Sequence, residues 1–182
     1  ISPNQFIKTN VNGLQNMIRC ATETGVKVFI NTSSDKAVNP TNIMGVTKLL
    51  GEKLITTANE QFGSTIFAST RFGNVLGSAG SVFPIFLNQI KEGKPLTLTS
   101  KDMTRFVMSI NQAAQLVLDS ATIAQGGEIF VTKMPVINIL DLAQAMIDEF
   151  SLEHDRQPDD LYISEIGVKQ GEKMFEELMN HE

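Results

Sequence analysis

An acid and a base stand side by side at Asp35-Lys36, with the hydroxyls of Ser33 and Ser34 immediately before them and Thr32 one residue further back. A carboxyl group and an amine on one loop can give and take protons at neighbouring carbons of a small substrate. A second lysine, Lys48, follows Met44 by one helical turn, so the two share a helix face. A lysine beside a mostly apolar face needs a partner or a ligand. The rival account is a solvated loop leading into a helix, with Ser34 serving only as a cap. Further along, Gly73, Gly77 and Gly80 free the backbone after a second apolar run. Arg105 offers a fork suited to bidentate phosphate contact, against the alternative of a surface ion pair with Asp102.

The elements that must position these residues alternate in type. Apolar residues three and four apart predict helices over 5–23 and 43–62, with Gly25 ending the first. Between them, Val26 to Ile30 is a β-branched and aromatic run, read as a strand, and the polar residues from Asn31 onward read as the loop at its end. A strand is expected over 64–72, a short helix over 82–91 with Pro84 in its first turn, and a small strand over 96–99. A helix over 111–124, a strand over 128–132, a helix over 139–150, a strand over 161–166 and a last helix over 172–179 complete the series. This alternation implies an α/β fold with a parallel sheet. In such sheets ligands sit beyond the carboxyl ends of the strands, where Thr32 to Lys36 and the loop after Phe72 would fall.

Composition sets the outer limits. The 182 residues are 42% hydrophobic and 19% charged, the mix of a globular chain with a real core. A chain this long buries roughly 70% of the surface its unfolded form exposes and needs no disulfide or metal to hold it. The single cysteine, Cys20, supplies neither, and points to a reducing, cytoplasmic setting. A net charge of -5 without a basic run argues against nucleic acid as the partner. No apolar run is long enough to span a membrane, so no membrane contact is expected from this segment.

The stretch containing Ser34, Asp35, Lys36, Ala37, Asn39, Pro40, Met44, Gly45 and Lys48 resembles the active-site segment of the extended short-chain dehydrogenase/reductase family. The likeness is to its nucleotide-sugar 4,6-dehydratases and polysaccharide-biosynthesis proteins that act on UDP-N-acetylglucosamine. It continues through Arg71 to Ser78, Met103 to Phe106, Gly126 to Val131 and Gly171-Glu172-Lys173, and so covers nearly the whole chain. Two departures stand out. Met44 occupies the place where most of the wider family has a tyrosine, and a thioether cannot take a hydroxyl proton; the one tyrosine, Tyr162, lies in a distant strand pattern. Lys169-Gln170 replaces the usual Arg-Pro, leaving a point charge where the family has a fork.

The resemblance implies NAD or NADP as a cofactor regenerated in each cycle, and a UDP-sugar as substrate. C4 of the sugar is oxidised, water leaves across C5 and C6, and hydride returns to C6. The implied catalytic set is Ser34, Asp35, Lys36, Met44 and Lys48, with Lys36 as base at C5 and Asp35 as acid at C6. Lys48, Thr32, Ser33, Phe72, Gly73, Asn74 and Val75 would hold the cofactor. Lys36, Asn74, Ser81, Val82, Arg105 and Glu172 would hold the substrate, the backbone of 73–81 with Asn74 and Arg105 meeting uracil and diphosphate. No metal is implied. Asn10 and Cys20 are taken as mostly structural. The family's glycine-rich dinucleotide fingerprint is absent from these residues, and the chain opens on Ile1 rather than methionine. Both features imply the carboxyl-terminal part of a larger enzyme, inactive alone. On this basis residues 1–80 form the carboxyl-terminal half of a Rossmann-type NAD(P)-binding domain with the active-site loop. Residues 81–182 form mainly a small α/β nucleotide-sugar subdomain, with some elements returning to the first. A homo-oligomer is expected through the apolar faces of the helices at 5–23 and 43–62, with burial inside the monomer as the rival. An epimerase sharing the transient ketone, or a silent nucleotide-sugar-binding module, are the competing functions.

Overall fold

The computed structural model describes residues 2–78 and 80–180; Ala79, within the loop expected to meet uracil, lies outside them. In chain order the elements are α1 (Pro3–Phe6), a π-helical stretch (Ile7–Gly13), α2 (Leu14–Glu23), β1 (Val28–Ser34), α3 (Ile43–Gln61) and β2 (Ile66–Phe72). There follow β3 (Asn74–Val75), α4 (Val82–Glu92), β4 (Leu96–Leu98), β5 (Thr104–Met108), α5 (Ile110–Ile123), β6 (Ile129–Val131), β7 (Val136–Asn138), α6 (Ile139–Phe150) and β8 (Ile163–Glu165). The chain divides into two compact units, one of Ile1–Gly73, Asn111–Lys133 and Glu177–Glu182, the other of Asn74–Ile110 and Met134–Glu176.

The first unit holds a parallel sheet in the order β1-β2-β6. β1 pairs with β2 from Val28 opposite Ile66 to Ser34 opposite Phe72, so both strands end together. This corrects the expectation of a loop from Asn31 onward. Ladder hydrogen bonds are made by the backbone, and the polar side chains of Asn31 to Ser34 do not prevent them. α3 starts where the Asn42 side chain accepts the Gly45 amide at 3.0 Å. Its buried residues, Gly45, Thr47, Gly51, Glu52, Ile55 and Ala58, recur at three and four. Ile55 and Ala58 close a core with Ile18, Ala21 and Phe67, and the rings of Phe29 and Phe67 meet at 5.6 Å.

The helix expected over 5–23 is present but changes winding, its π-helical stretch Ile7–Gly13 interrupting the α-geometry. The single apolar pattern over 5–23 does not distinguish the two windings. π-helical turns recur at functional sites. In this one Asn10 donates to the Thr47 hydroxyl of α3 at 3.0 Å.

In the second unit β3 runs parallel to β5 and β4 parallel to β8, whereas β5 and β7 are antiparallel. α4 and α6 pack a core of Phe86, Ile90, Ala143, Met146 and Ile147 against Leu96, Leu98 and Leu161. α4 stops at Gly93, whose φ of 64° gives the left-handed cap. The expected last helix over 172–179 is not formed. Its residues are held as irregular chain because their carbonyls serve other partners: Met174 O accepts the Thr104 amide at 3.0 Å, and Leu178 O accepts from Arg71 at 2.8 Å. A helical pattern there loses to bonds that a helix would break.

Candidate active site

At the end of β1 the backbone of Ser34 is still extended, and Asp35–Ala37 then makes one 3-10 turn. The Ser34 hydroxyl performs two tasks at once. It accepts the Lys36 amide at 3.2 Å, capping the turn, and donates to Asp35 Oδ1 at 2.8 Å. Lys36 Nζ reaches the same oxygen at 2.9 Å. Asp35 is 0% exposed, and its other oxygen, Oδ2, accepts nothing from the described residues. A buried carboxyl oxygen without a donor is costly unless it carries a proton or meets a ligand. The Ser34 cap and its hydrogen bond to the Asp35–Lys36 pair are thus made by the same hydroxyl.

Gly45 lets α3 come up against this turn. A Cβ on it would lie 2.3 Å from the Lys36 carbonyl oxygen and 3.0 Å from Pro40 Cβ. One turn later, Lys48 Nζ donates to the Thr32 carbonyl at 2.9 Å. Burial pulls the Lys48 ammonium below the usual lysine range, and the negative charge of Glu52, one turn further on, offsets part of that. An ammonium has three donors, so two of those on Lys48 have no partner among the described residues. They open on a cavity of about 390 Å³ lined also by Asn10, Asn31, Thr32 and Thr47. That donor set fits a ribose diol. Ser33 is buried, its hydroxyl without a partner among the described residues, and Phe72 stands opposite Ser34 in the sheet. Met44 is half-buried, its carbonyl accepting from the Thr47 hydroxyl at 2.9 Å.

Of the remaining cofactor residues, Gly73 belongs to the first unit, while Asn74 and Val75 belong to the second, where they pair with Val107 and Met108 of β5. That unit has its own cleft of about 290 Å³, lined by Asn74, Val82, Thr97, Thr99, Arg105, Lys169 and Glu172 among others. Four of the expected substrate residues thus converge there. Ser81 is the residue before α4, and its buried hydroxyl has no partner among the described residues. Arg105 is not a surface partner of Asp102. It is 8% exposed and donates to the carbonyls of Thr104, Lys173 and Met174 at 2.7, 2.8 and 3.2 Å, with Glu172 at 3.9 Å. Glu172 accepts from the Thr99 hydroxyl at 3.1 Å, a contact a helix cap would not need.

The sequence gives no site role to Glu52, and to Arg71 none beyond its place in the resemblance. Arg71 Nε and Nη2 grip the two Glu52 oxygens at 2.9 and 2.8 Å, and the side chains of Arg71 and Glu52 are 8% and 1% exposed. An arginine inside an apolar strand demands an acid nearby, and Glu52, four residues after Lys48, was the available one. Among the described residues no cluster of side chains could hold a metal ion, and no helix is long and apolar enough to cross a membrane.

A family described as polysaccharide biosynthesis protein matches residues 1–182. The chain belongs to this family. Within it, the chain is 50% identical over its whole length to an uncharacterised membrane protein of Methanocaldococcus jannaschii, of which it covers 55%. It is 42% identical to UDP-N-acetylglucosamine 4,6-dehydratase (inverting) of Campylobacter jejuni, over 98% of this chain and 51% of that protein. It is also 42% identical to UDP-glucose 4-epimerase of Rickettsia canadensis, over 99% of this chain and 51% of that protein. The chain thus spans about half the length of these relatives. The X-ray structure of Pen from Bacillus thuringiensis superposes with a TM-score of 0.91 at 48% identity, over 96% of this chain and 54% of that one. At 16% identity, dTDP-glucose 4,6-dehydratase from Streptomyces venezuelae, solved with NAD and TYD bound, shares the fold alone, with a TM-score of 0.82 over 96% of this chain and 58% of that one. The chain has the Rossmann-type α/β fold that these solved structures share.

Proposed function

We propose that the protein is a nucleotide-sugar 4,6-dehydratase that converts UDP-N-acetylglucosamine to a 4-keto-6-deoxy sugar nucleotide for surface glycan synthesis. The observation that carries this is the buried Asp35, with one oxygen shared by Ser34 and Lys36 and the other without a donor among the described residues. Elimination of water needs a proton taken from C5 and one given to the C6 hydroxyl. An amine and a carboxyl 2.9 Å apart supply both, and the proton can pass between them as each changes charge.

Lys36 takes the C5 proton, and Asp35 protonates the departing C6 oxygen through Oδ2. Ser34 orients Asp35 with its single O–H, and its remaining lone pair can accept from the C4 hydroxyl. Lys48 holds the nicotinamide ribose with its two remaining donors, and its positive charge favours the alkoxide-like state at C4. A bound NAD or NADP would accept hydride from C4 and return it to C6. Met44 cannot act as the base at C4, so the proton there passes to Asp35 or to water. In this account the first unit is the carboxyl-terminal half of the NAD(P)-binding domain. The cleft of the second unit takes the uridine diphosphate, with Lys169 as a point charge for phosphate and Glu172 for ribose. The helical faces of α2 and α3 pair with a second copy.

A second reading is an epimerase, favoured by the equal 42% identity to the protein named UDP-glucose 4-epimerase. It shares C4 oxidation but expels no water. Full-length protein with UDP-N-acetylglucosamine and NAD in D₂O, followed by proton NMR, separates the two. The dehydratase gives a new C6 methyl signal with deuterium at C5. A change of ring configuration without a methyl establishes the epimerase instead, and an untouched but bound sugar refutes both.

A further inference from the structure

The segment that ends the described chain is fastened to the first unit at two points. Arg71, whose other nitrogens grip Glu52, donates through Nη1 to the Leu178 carbonyl at 2.8 Å. One residue earlier, Glu177 Oε2 accepts from the side chain of Asn39 at 2.8 Å. Asn39 comes three residues after Lys36, and its φ of 44° lies in the left-handed region, which asparagine tolerates better than most residues. The turn bearing Asp35 and Lys36 is thus anchored on its near side by the Ser34 cap and the close approach of Gly45. On its far side the chain leaves through Asn39, whose side chain binds a residue 138 positions away in sequence. Ala37, Asn39 and Pro40 share a cavity of about 520 Å³ with Met179 and Asn180, so turn and terminal segment line one space.

We propose that Asn39 is a positioning residue: by binding Glu177, while Arg71 holds Leu178, it makes 177–180 a strap that fixes the turn carrying Asp35 and Lys36. The catalytic part of this inference rests on the dehydratase reading; the mechanical part does not. In this inference the effect of Asn39 is carried to Asp35 and Lys36 through the backbone of the turn.

The test uses the full-length protein and charge logic rather than deletion. Asn39→Asp keeps tolerance of the left-handed backbone but sets a carboxylate against Glu177. Glu177→Gln alone keeps an acceptor for Asn39, and combined with Asn39→Asp it rebuilds the bond with donor and acceptor exchanged. Asn39 is exposed and Glu177 half-buried, and neither belongs to the buried core. Two readouts are taken: hydrogen–deuterium exchange in peptides covering 33–42, and kcat with KM for methyl formation from UDP-N-acetylglucosamine. Asn39→Asp is expected to speed exchange in 33–42 and to lower kcat about 10- to 100-fold, with KM changed less than about two-fold, as for a small misplacement of reacting groups. Glu177→Gln is expected to behave as wild type, and the double variant to regain most of the lost kcat. Unchanged exchange in Asn39→Asp, or a kcat loss that the double variant fails to restore, overturns the strap. If the wild type forms no methyl product, the dehydratase reading fails, and the exchange measurements alone decide whether the strap exists.

Discussion

Gly45→Ala tests whether the closeness of α3 to the acid–base turn is what positions it. Within a helix this substitution ordinarily stabilises by about 0.8–1 kcal/mol, because glycine is the poorer helix former. At this position the added Cβ would lie 2.3 Å from a backbone carbonyl oxygen, that of Lys36, and 3.0 Å from Pro40 Cβ. Ordinary contact begins near 3.4 Å, so the two chains must separate by roughly 1 Å, and a carbonyl has no rotamer with which to evade the methyl group. Such overpacking costs about 1–3 kcal/mol, which reverses the sign of the helix effect. The displaced atom belongs to Lys36 itself, so on the proposed dehydratase function a loss of about 100-fold in kcat is expected in the full-length protein for a shift of this size. Urea denaturation and methyl formation measured side by side give both quantities. Gly63→Ala is the control: nothing lies within 4 Å of its added Cβ, and a stability change within about 0.5 kcal/mol is expected. A Gly45→Ala protein that is more stable than wild type and equally active would show that the close approach has no such role.

Arg71→Met should cost about 3–5 kcal/mol in chemical denaturation, because it strands the Glu52 carboxylate, 1% exposed, without its bidentate partner. Adding Glu52→Leu should recover most of that loss, and strictly additive costs in the double variant would sink the explanation. For Glu128, burial pushes the carboxyl up, but the amides of Gln125 and Gly126 bind it at 2.7 Å, and the backbone hydrogen bonds together bring it below the usual carboxylate range. The folded state then binds fewer protons than the unfolded one, so this stabilisation is present above the unfolded pKa and is lost as pH falls through the folded pKa. Glu128→Gln should therefore flatten the acid limb of the stability–pH curve while leaving the neutral plateau without a pH slope of its own; curves that stay parallel down to the acid transition would refute it.

What the sequence made legible, and what it hid, follows from the range over which each force acts. The helices at 43–61 and 139–150 announce themselves because their buried residues recur at three and four. The cluster at Ser34 to Lys36 announces itself because acid, base and hydroxyl are neighbours in the chain. By contrast β3, β5 and β7 are two to five residues long, and β5 carries Arg105 at its second position; such strands exist by virtue of their partners and leave little local pattern. The terminal segment shows the same principle with the opposite error. Residues 172–179 carry a helical pattern, yet Arg71 and Arg105 take the carbonyls of Lys173, Met174 and Leu178. A buried guanidinium without acceptors costs more than a short surface helix contributes, so the arginines decide the path of the chain. This locates the unforeseen part of the site. Asp35, Lys36 and Lys48 can be named from residue type, but Glu52, Arg71, Asn39 and Glu177 matter through contacts 19 to 138 residues apart in sequence, which no local spacing encodes. Chemistry is written in neighbours; the geometry that makes it effective is held by residues distant in the chain.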